Sequence, residues 1–194
     1  FLQSFVQENF ALAVLIFFGS YFLAVALSLP GAGVMSITSG FLFGTALGTV
    51  LAVSAASLGA TAVFLIAQTA LGESLQKRAG PWLDKMRQGF QENAFSYLLT
   101  LRLVPVFPFF IINLVPAFLG VKLKDYMMAT TLGIIPGGFV YVSVGTGLGS
   151  IFDRGEAFSI GSIMTPEILV ALFGLAALSL VPIIVKFLKT KREP

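Results

Sequence analysis

The chain has 194 residues, of which 57% are hydrophobic and 11% are charged, with a net charge of +3. A soluble domain of this size could not cover so much apolar surface, so the composition indicates an integral membrane protein. Cysteine and histidine are both absent, which excludes disulfides, thiolate and imidazole metal sites, and Ser-His hydrolysis. No basic surface interleaved with aromatic residues suggests nucleic acid binding. The chain begins at Phe1, and we expect it to be part of a longer product.

Residues 10–29 are apolar and long enough to predict a first membrane span. Pro30 follows, and then a stretch with several glycines, including Gly40 and Gly44, and with serine and threonine between them. Proline and closely spaced glycines interrupt helices, so these residues argue against a full-length span. We therefore expect residues 30–43 to dip into the membrane and return, which is tolerated only where protein or water covers the freed backbone groups.

A second span is predicted at about residues 45–71. Gly48 and several alanines give it a face of small residues that would let another helix approach closely. Close packing is the expected role of Gly40, Gly44, Gly48 and Gly120, and lining a substrate path is the alternative.

A polar run at 73–92 follows the second span. On a helix, Trp82, Leu83, Met86 and Phe90 would lie near one face, with the charged residues elsewhere. The pattern predicts an amphipathic connector on the membrane surface, and a solvated loop is the alternative.

Residues 93–124 are almost wholly apolar, but they contain one charge far from the ends of the stretch, Arg102, and a polar Asn113. Proline removes a backbone donor and clashes with the preceding turn, so several within twelve residues cannot occupy one straight helix. We expect two half-helices that enter the membrane and return, with Arg102 near the break. The prolines assigned to this break are Pro105, Pro108 and Pro116.

A third span is predicted at about 126–152, interrupted at Pro136, and a C-terminal helix at about 167–188. The predicted fold is a single all-α polytopic membrane domain over residues 1–194. It has about four transmembrane helices and two opposed re-entrant helical hairpins, arranged as an inverted repeat. The half-repeats are placed at about 10–72 and 93–152.

The placement of positive charge supports this topology. If residues 30–43 and residues 93–121 both enter the membrane and return, every lysine and arginine except Arg102 and Arg154 lies on one side of the membrane. If residues 93–121 cross fully, the C-terminal positive charges move to the opposite side and the asymmetry collapses. The positive-inside rule therefore favours the re-entrant arrangement, with a cytoplasmic C-terminus.

Arg102 and Asn113 are the candidate substrate-binding residues. An arginine at bilayer depth costs about 2.5–3.5 kcal/mol on insertion scales, and its planar guanidinium suits phosphate or another oxyanion. The alternative is that Arg102 pairs with backbone carbonyls at the break or extends to the interface. Asn113 has helix capping as its alternative. We find no catalytic residues, no metal ligands and no cofactor motif, so an enzyme is not expected.

The chain resembles the DedA / SNARE-associated Golgi protein superfamily, also called the VTT domain. The resemblance covers about residues 23–149 and rests on Pro30, GFLFG at 40–44, LRLVPVFPFFIINLVPAFLGV at 101–121 and TTLGIIPG at 130–137. It is nearer the SNARE-associated Golgi branch, because the first dip has no acidic residue and Pro108 stands where DedA members tend to carry a second arginine. The resemblance implies opposed re-entrant hairpins and a role in moving or scrambling lipids.

The residues and the resemblance together predict a transporter or scramblase-like protein that moves a phosphate-bearing amphiphile between the two hairpins. A small-ion or solute transporter and a non-transporting membrane assembly factor are the alternatives. Expected partners are membrane lipids, such as phospholipid or polyprenyl phosphate, and homo-oligomerisation is left open. The tight loops suggest a bacterial inner membrane.

Overall fold

The computed structural model describes residues 2–70, 80–103 and 108–154. These residues are helical almost throughout, and no strand occurs among them. The all-helical class is thereby confirmed. The predicted C-terminal helix at 167–188 lies outside the described residues. The helices are α1 (Leu2–Glu8), α2 (Phe10–Ala26), α3 (Ala32–Ala70), α4 (Gly80–Leu103), α5 (Phe109–Phe118) and α6 (Leu123–Arg154).

Helix α3 is two helices joined at Gly44, whose φ of 73° and ψ of 177° are not helical. Ser39 Oγ donates to the carbonyl oxygen of Gly48 at 2.8 Å, although a straight helix would separate these residues by about 13 Å. The chain therefore reverses direction at Gly44. Residues 32–43 form a short helix, and residues 45–70 form a long one.

Helix α2 pairs with the short helix 32–43 as the two arms of a hairpin, hereafter hairpin 1. Phe10 contacts Phe43 with ring centroids 6.3 Å apart, and the hydroxyl groups of Tyr21 and Ser36 are 2.9 Å apart. The arms are thus antiparallel. The span predicted at residues 10–29 corresponds to α2, which has 17 residues, near the lower limit for crossing a bilayer. Whether it crosses stays a prediction.

The second half of the described chain repeats this order. Helix α4 breaks at Asn93 (φ −159°, ψ 87°), and Asn93 Oδ1 accepts from the backbone N–H of Ser96 at 3.0 Å, capping a new helix at 94–103. That helix and α5 form hairpin 2. Its arms meet where Arg102 contacts Asn113, two residues that a straight helix would hold about 16 Å apart.

The chain leaves each hairpin through a glycine in the left-handed region, Gly44 at φ 73° and Gly120 at φ 72°. A long helix follows in both cases, residues 45–70 after the first glycine and α6 after the second. The halves also share a local sequence, because Gln-Glu-Asn stands at 7–9 and again at 91–93. The described residues therefore contain a structural repeat of hairpin and long helix.

The two long helices run antiparallel. Thr45 Oγ1 donates to Thr146 Oγ1 at 3.1 Å, whereas further along the chain the Tyr126 hydroxyl donates to the carbonyl oxygen of Ala60 at 3.1 Å. As the residue number along the helix 45–70 increases, the residue number of its contact partner in α6 decreases. The core lies between these helices and the hairpins, and its fully buried side chains include Phe64, Leu98, Tyr126 and Val142.

Two helices are long and apolar enough to cross a membrane by length and composition, Ala32–Thr69 and Leu123–Ser150. Because the first contains the reversal at Gly44, its crossing part is the helix 45–70. Pro136 lies inside α6, which continues through it as one helix, as membrane helices often do when neighbouring groups satisfy the freed carbonyl. The predicted kink at this proline stays a prediction.

The connector predicted at 73–92 is partly outside the described residues, which omit 71–79. From Gly80 onward it is helical up to the break at Asn93. The loop alternative is therefore wrong for residues 80–92, and placement on the membrane surface stays a prediction.

Replacing Gly44 with alanine is expected to destabilise the protein by about 1–3 kcal/mol, because its backbone conformation is accessible essentially only to glycine. No atom lies within 4 Å of an added Cβ, so the cost comes from the backbone alone. Gly19→Ala is the matched control: Gly19 lies inside α2 with open space around it, and alanine there gains helix propensity. Unfolding in detergent would measure both, and equal effects would contradict the assignment.

Candidate functional site

Arg102 lies in the last turn of the helix 94–103, where the negative end of the helix dipole favours a cation. Pro108 then provides the N-cap of α5, with φ −56° and ψ 136°, so the chain bends back beside the arginine. The break predicted from the prolines is thus observed at Pro108. Pro105 lies outside the described residues.

One nitrogen of the Arg102 guanidinium makes all of the hydrogen bonds that this group forms with described residues. Nη2 donates to Asn113 Oδ1 at 2.8 Å, to the Tyr126 hydroxyl at 3.1 Å and to Thr130 Oγ1 at 3.1 Å. The guanidinium carbon also lies 5.3 Å from the ring centroid of Phe109 and 5.8 Å from that of Tyr126. Each of these partners is uncharged, so they solvate the positive charge with dipoles and rings and do not neutralise it.

Three buried nitrogens at this position have no hydrogen-bond partner among the residues that the structure describes: Arg102 Nε, Arg102 Nη1 and Asn113 Nδ2. Asn113 is fully buried, and its oxygen is already bound by Arg102. It lies in the middle of α5, so it does not cap that helix. A buried donor without a partner is costly. The set contains donors only, so the group that would satisfy it is an acceptor, and the arginine's charge favours an anion.

Arg102 forms part of the wall of a cleft of about 480 Å³ between the two hairpins. The cleft opens beside Tyr141, which is 49% exposed. The described residues that line the cleft include no acidic residue. The lining consists of Tyr21, Ala32, Gly33 and Ser36 of hairpin 1, Arg102, Leu103 and Phe109 of hairpin 2, Ala56 of the helix 45–70, and Gly133, Ile134, Gly137, Gly138 and Tyr141 of α6.

Two helix N-termini also reach this cleft. The short helix of hairpin 1 begins at Ala32 and α5 begins at Phe109, and both residues line the cleft. The first backbone N–H groups of a helix have no intrahelical acceptor and carry the positive end of the dipole. Together with Arg102, they make the cleft a site of positive potential, which is the arrangement that binds anions.

Sequence reasoning missed Tyr126 and Thr130. Both are fully buried, and the Tyr126 ring stacks on Phe64 with centroids 4.2 Å apart. Their spacing of four residues puts them on one face of α6. Two buried polar residues on one face of an apolar helix are a signal that could have identified them.

The other predicted residues shape the site without contacting Arg102. Pro30 precedes the short helix of hairpin 1, Pro116 is buried inside α5, and Pro136 lies within α6. Gly44 and Gly120 are the turns that end the hairpins.

Gly40 and Gly48 permit close helix contacts. A Cβ on Gly40 would fall on the carbonyl oxygen of Val142, and one on Gly48 would lie 2.9 Å from the carbonyl oxygen of Ser39. Gly145 of α6 is packed in the same way against Ile37. The short helix of hairpin 1 therefore lies against α6 with almost no side chain between them, and this contact closes one side of the cleft.

Comparison with known proteins gives the family. The VTT domain matches residues 29–147. The chain is 31% identical to transmembrane protein 41B of Homo sapiens over 193 residues, covering 96% of the chain and 64% of the relative. It is 30% identical to the transmembrane protein 41 homolog of Dictyostelium discoideum over 190 residues, covering 95% of the chain and 54% of the relative. The chain thus spans between about half and two thirds of the length of these relatives.

No solved structure matches the chain. The relatives are named transmembrane proteins, and two helices of the present structure are suited to span a bilayer, so the chain is an integral membrane protein. The predicted resemblance is confirmed, including the branch. The chain belongs to the VTT-domain family of the DedA/SNARE-associated Golgi superfamily, on the SNARE-associated Golgi side of it.

Proposed function

We propose that this protein moves a phosphate-bearing lipid across the bilayer, with the headgroup passing through the cleft between hairpins 1 and 2. One observation carries the proposal. Within the described part of the chain, Arg102 is held at the cleft wall by uncharged groups, and two of its nitrogens and the amide nitrogen of Asn113 are buried without partners. A headgroup phosphate would supply both the negative charge and the acceptor oxygens that this set lacks.

The dimensions of the helices support a re-entrant arrangement. The arms of hairpin 1 are about 25 Å and 18 Å long and the helix 45–70 about 39 Å, at 1.5 Å per residue. The hydrocarbon core is about 30 Å thick. In the proposed arrangement the long helices cross, and the hairpins enter and return.

The two hairpins enter from opposite faces in this arrangement. Hairpin 1 ends at Gly44 beside Thr45, which contacts Thr146 near the end of α6. Hairpin 2 ends at Gly120 beside Val121, whose carbonyl oxygen accepts from Gln68 Nε2 at 3.5 Å near the end of the helix 45–70. Opposed hairpins that meet at mid-membrane are the layout from which inverted-repeat transporters build substrate sites.

Charge sets the orientation. Residues 77–87 carry four positive charges, and Lys122 and Lys124 lie at the same end of the long helices as residue 70. The positive-inside rule places this end in the cytoplasm. Hairpin 2, with Arg102, would then enter from the cytoplasmic face and hairpin 1 from the opposite face.

The cleft lowers the main barrier to lipid movement. A phosphate group pays a large desolvation cost in hydrocarbon, which is why unassisted transbilayer movement is slow. Arg102 and the two helix N-termini would replace part of the lost hydration with fixed dipoles and one charge. The acyl chains could remain in the bilayer while the headgroup crosses.

The test is reconstitution of the full chain into sealed vesicles with a fluorescent phospholipid or polyprenyl phosphate at trace level. Dithionite would quench the outer-leaflet label, and transbilayer movement would appear as loss of the protected fraction. Protein-dependent movement of either probe is expected. If vesicles with folded protein keep both probes protected, the proposal is overturned. Ion flux without lipid movement would instead favour the small-ion transporter.

A further inference from the structure

The hydroxyl of Tyr126 connects the proposed anion site to the first half of the repeat. It donates to the carbonyl oxygen of Ala60 at 3.1 Å, accepts from Arg102 Nη2 at 3.1 Å and lies 3.4 Å from Asn113 Oδ1. The ring stacks on Phe64. The ring therefore packs into the core, while the hydroxyl alone contacts the arginine's hydrogen-bond network.

The hydrogen bonds at Arg102 are unevenly distributed. Nη2 carries two hydrogens, yet three acceptors lie within 3.1 Å of it. Among the described residues, Nε and Nη1, with the other three hydrogens of the guanidinium, have no partner. At most two acceptors can receive a well-directed hydrogen from Nη2. At least one of the three bonds is therefore poorly directed.

Tyr126 can release its contact with Nη2 without losing a partner for its own hydrogen. That hydrogen still goes to the carbonyl oxygen of Ala60 when the contact with Nη2 is lost. Asn113 Oδ1, in contrast, makes the shortest of the three bonds, at 2.8 Å.

We propose that Tyr126 is a positioning residue whose hydroxyl competes with a bound anion for the Arg102 guanidinium. The inference rests on the anion-binding role proposed above, but not on transport itself. A transport site must bind strongly enough to admit a substrate and weakly enough to release it. The Tyr126 hydroxyl supplies the weakening, because its oxygen already satisfies part of the guanidinium's positive charge and so reduces what an arriving phosphate gains.

The test variant is Tyr126→Phe, which keeps the ring on Phe64 and removes only the hydroxyl. Affinity of the detergent-solubilised full chain for a fluorescent phosphatidylglycerol is expected to rise about fivefold, as fits the loss of one competing hydrogen bond of ordinary net strength. In vesicles the maximal rate of lipid movement is expected to fall while half-saturation shifts to lower lipid concentration. A purely structural role would not tighten binding.

Two control variants distinguish the effect of the Tyr126 hydroxyl on binding from the effects of its neighbours. Asn113→Leu removes an oxygen and two orphaned N–H donors, and it is expected to weaken binding about tenfold. Phe64→Leu removes the stacking but keeps the hydroxyl, and it is expected to lower the unfolding temperature without tightening binding.

Unchanged or weaker binding by Tyr126→Phe overturns the proposal. Failure of that variant to fold also overturns it, because the proposal has the ring stabilise the fold and the hydroxyl only adjust the affinity for the anion. Equal lack of binding by the wild type and Arg102→Gln would overturn it together with the anion site. If binding tightens as expected but no chain moves lipid, the transport function fails and the positioning role stands.

Discussion

Replacing Arg102 with glutamine is expected to slow lipid movement by about 10- to 100-fold. The change removes the one charge among the described residues that line the cleft, together with the donors Nε and Nη1. Hydrogen bonds to a charged group contribute about 1.5–3 kcal/mol, and 1.4 kcal/mol corresponds to a factor of ten. Glutamine can still donate to Asn113 through its amide, so the fold is expected to survive. The measurement is the dithionite assay at subsaturating lipid.

The lysine variant tests whether the guanidinium geometry matters beyond its charge. Arg102→Lys keeps the charge but has no planar array of donors, and we expect a rate between those of the wild type and Arg102→Gln. Lys122→Gln is the control for loss of one positive charge, because Lys122 is exposed at the turn before α6. Its rate should equal that of the wild type. Wild-type rates for folded Arg102→Gln would remove the anion site from the mechanism.

Replacing Gly145 with alanine is expected to destabilise the protein by about 3 kcal/mol or to prevent folding. The added Cβ would fall on the carbonyl oxygen of Ile37 and lie 2.9 Å from the backbone nitrogen of Phe41. These are backbone atoms, so relief requires the short helix to move away from α6. Overpacking of this kind costs about 1–3 kcal/mol and occasionally more, and here it would also separate the walls of the cleft.

Gly147→Ala provides an opposite expectation two residues further along the same helix. No atom lies within 4 Å of its added Cβ, and alanine is favoured over glycine in a helix by about 1 kcal/mol. Gly147→Ala should therefore be neutral or stabilising, while Gly145→Ala is strongly destabilising. Thermal unfolding in detergent measures both. Similar stabilities would contradict the close contact between the short helix and α6.

Local backbone chemistry made the breaks in the helices predictable. Pro108 cannot continue the helix that ends at Leu103, and Gly44 adopts a conformation closed to other residues. The same reasoning does not decide where a helix ends at Pro136, because the helix continues through that residue. Proline within a long, well-packed membrane helix is tolerated, and sequence spacing does not reveal that packing.

The pairing of hairpin 1 was not predictable in the same way. Residues 10–29 have the composition of a span, and only the contacts of α2 with the short helix show that it is a hairpin arm. One signal was available: Gln-Glu-Asn at 7–9 recurs at 91–93. Aligning the halves on these residues would have placed α2 opposite the helix 94–103.

The sequence by itself determined that this chain is a membrane protein, that its helices break at particular prolines and glycines, and that Arg102 is its exceptional charge. These follow from hydrophobicity and backbone geometry, which act over a few residues. Only the tertiary structure decided which groups surround that charge. Tyr126 and Thr130 are 24 and 28 residues from Arg102, and they reach it because the antiparallel long helices and the hairpins pack together. Contacts of that kind depend on the whole fold.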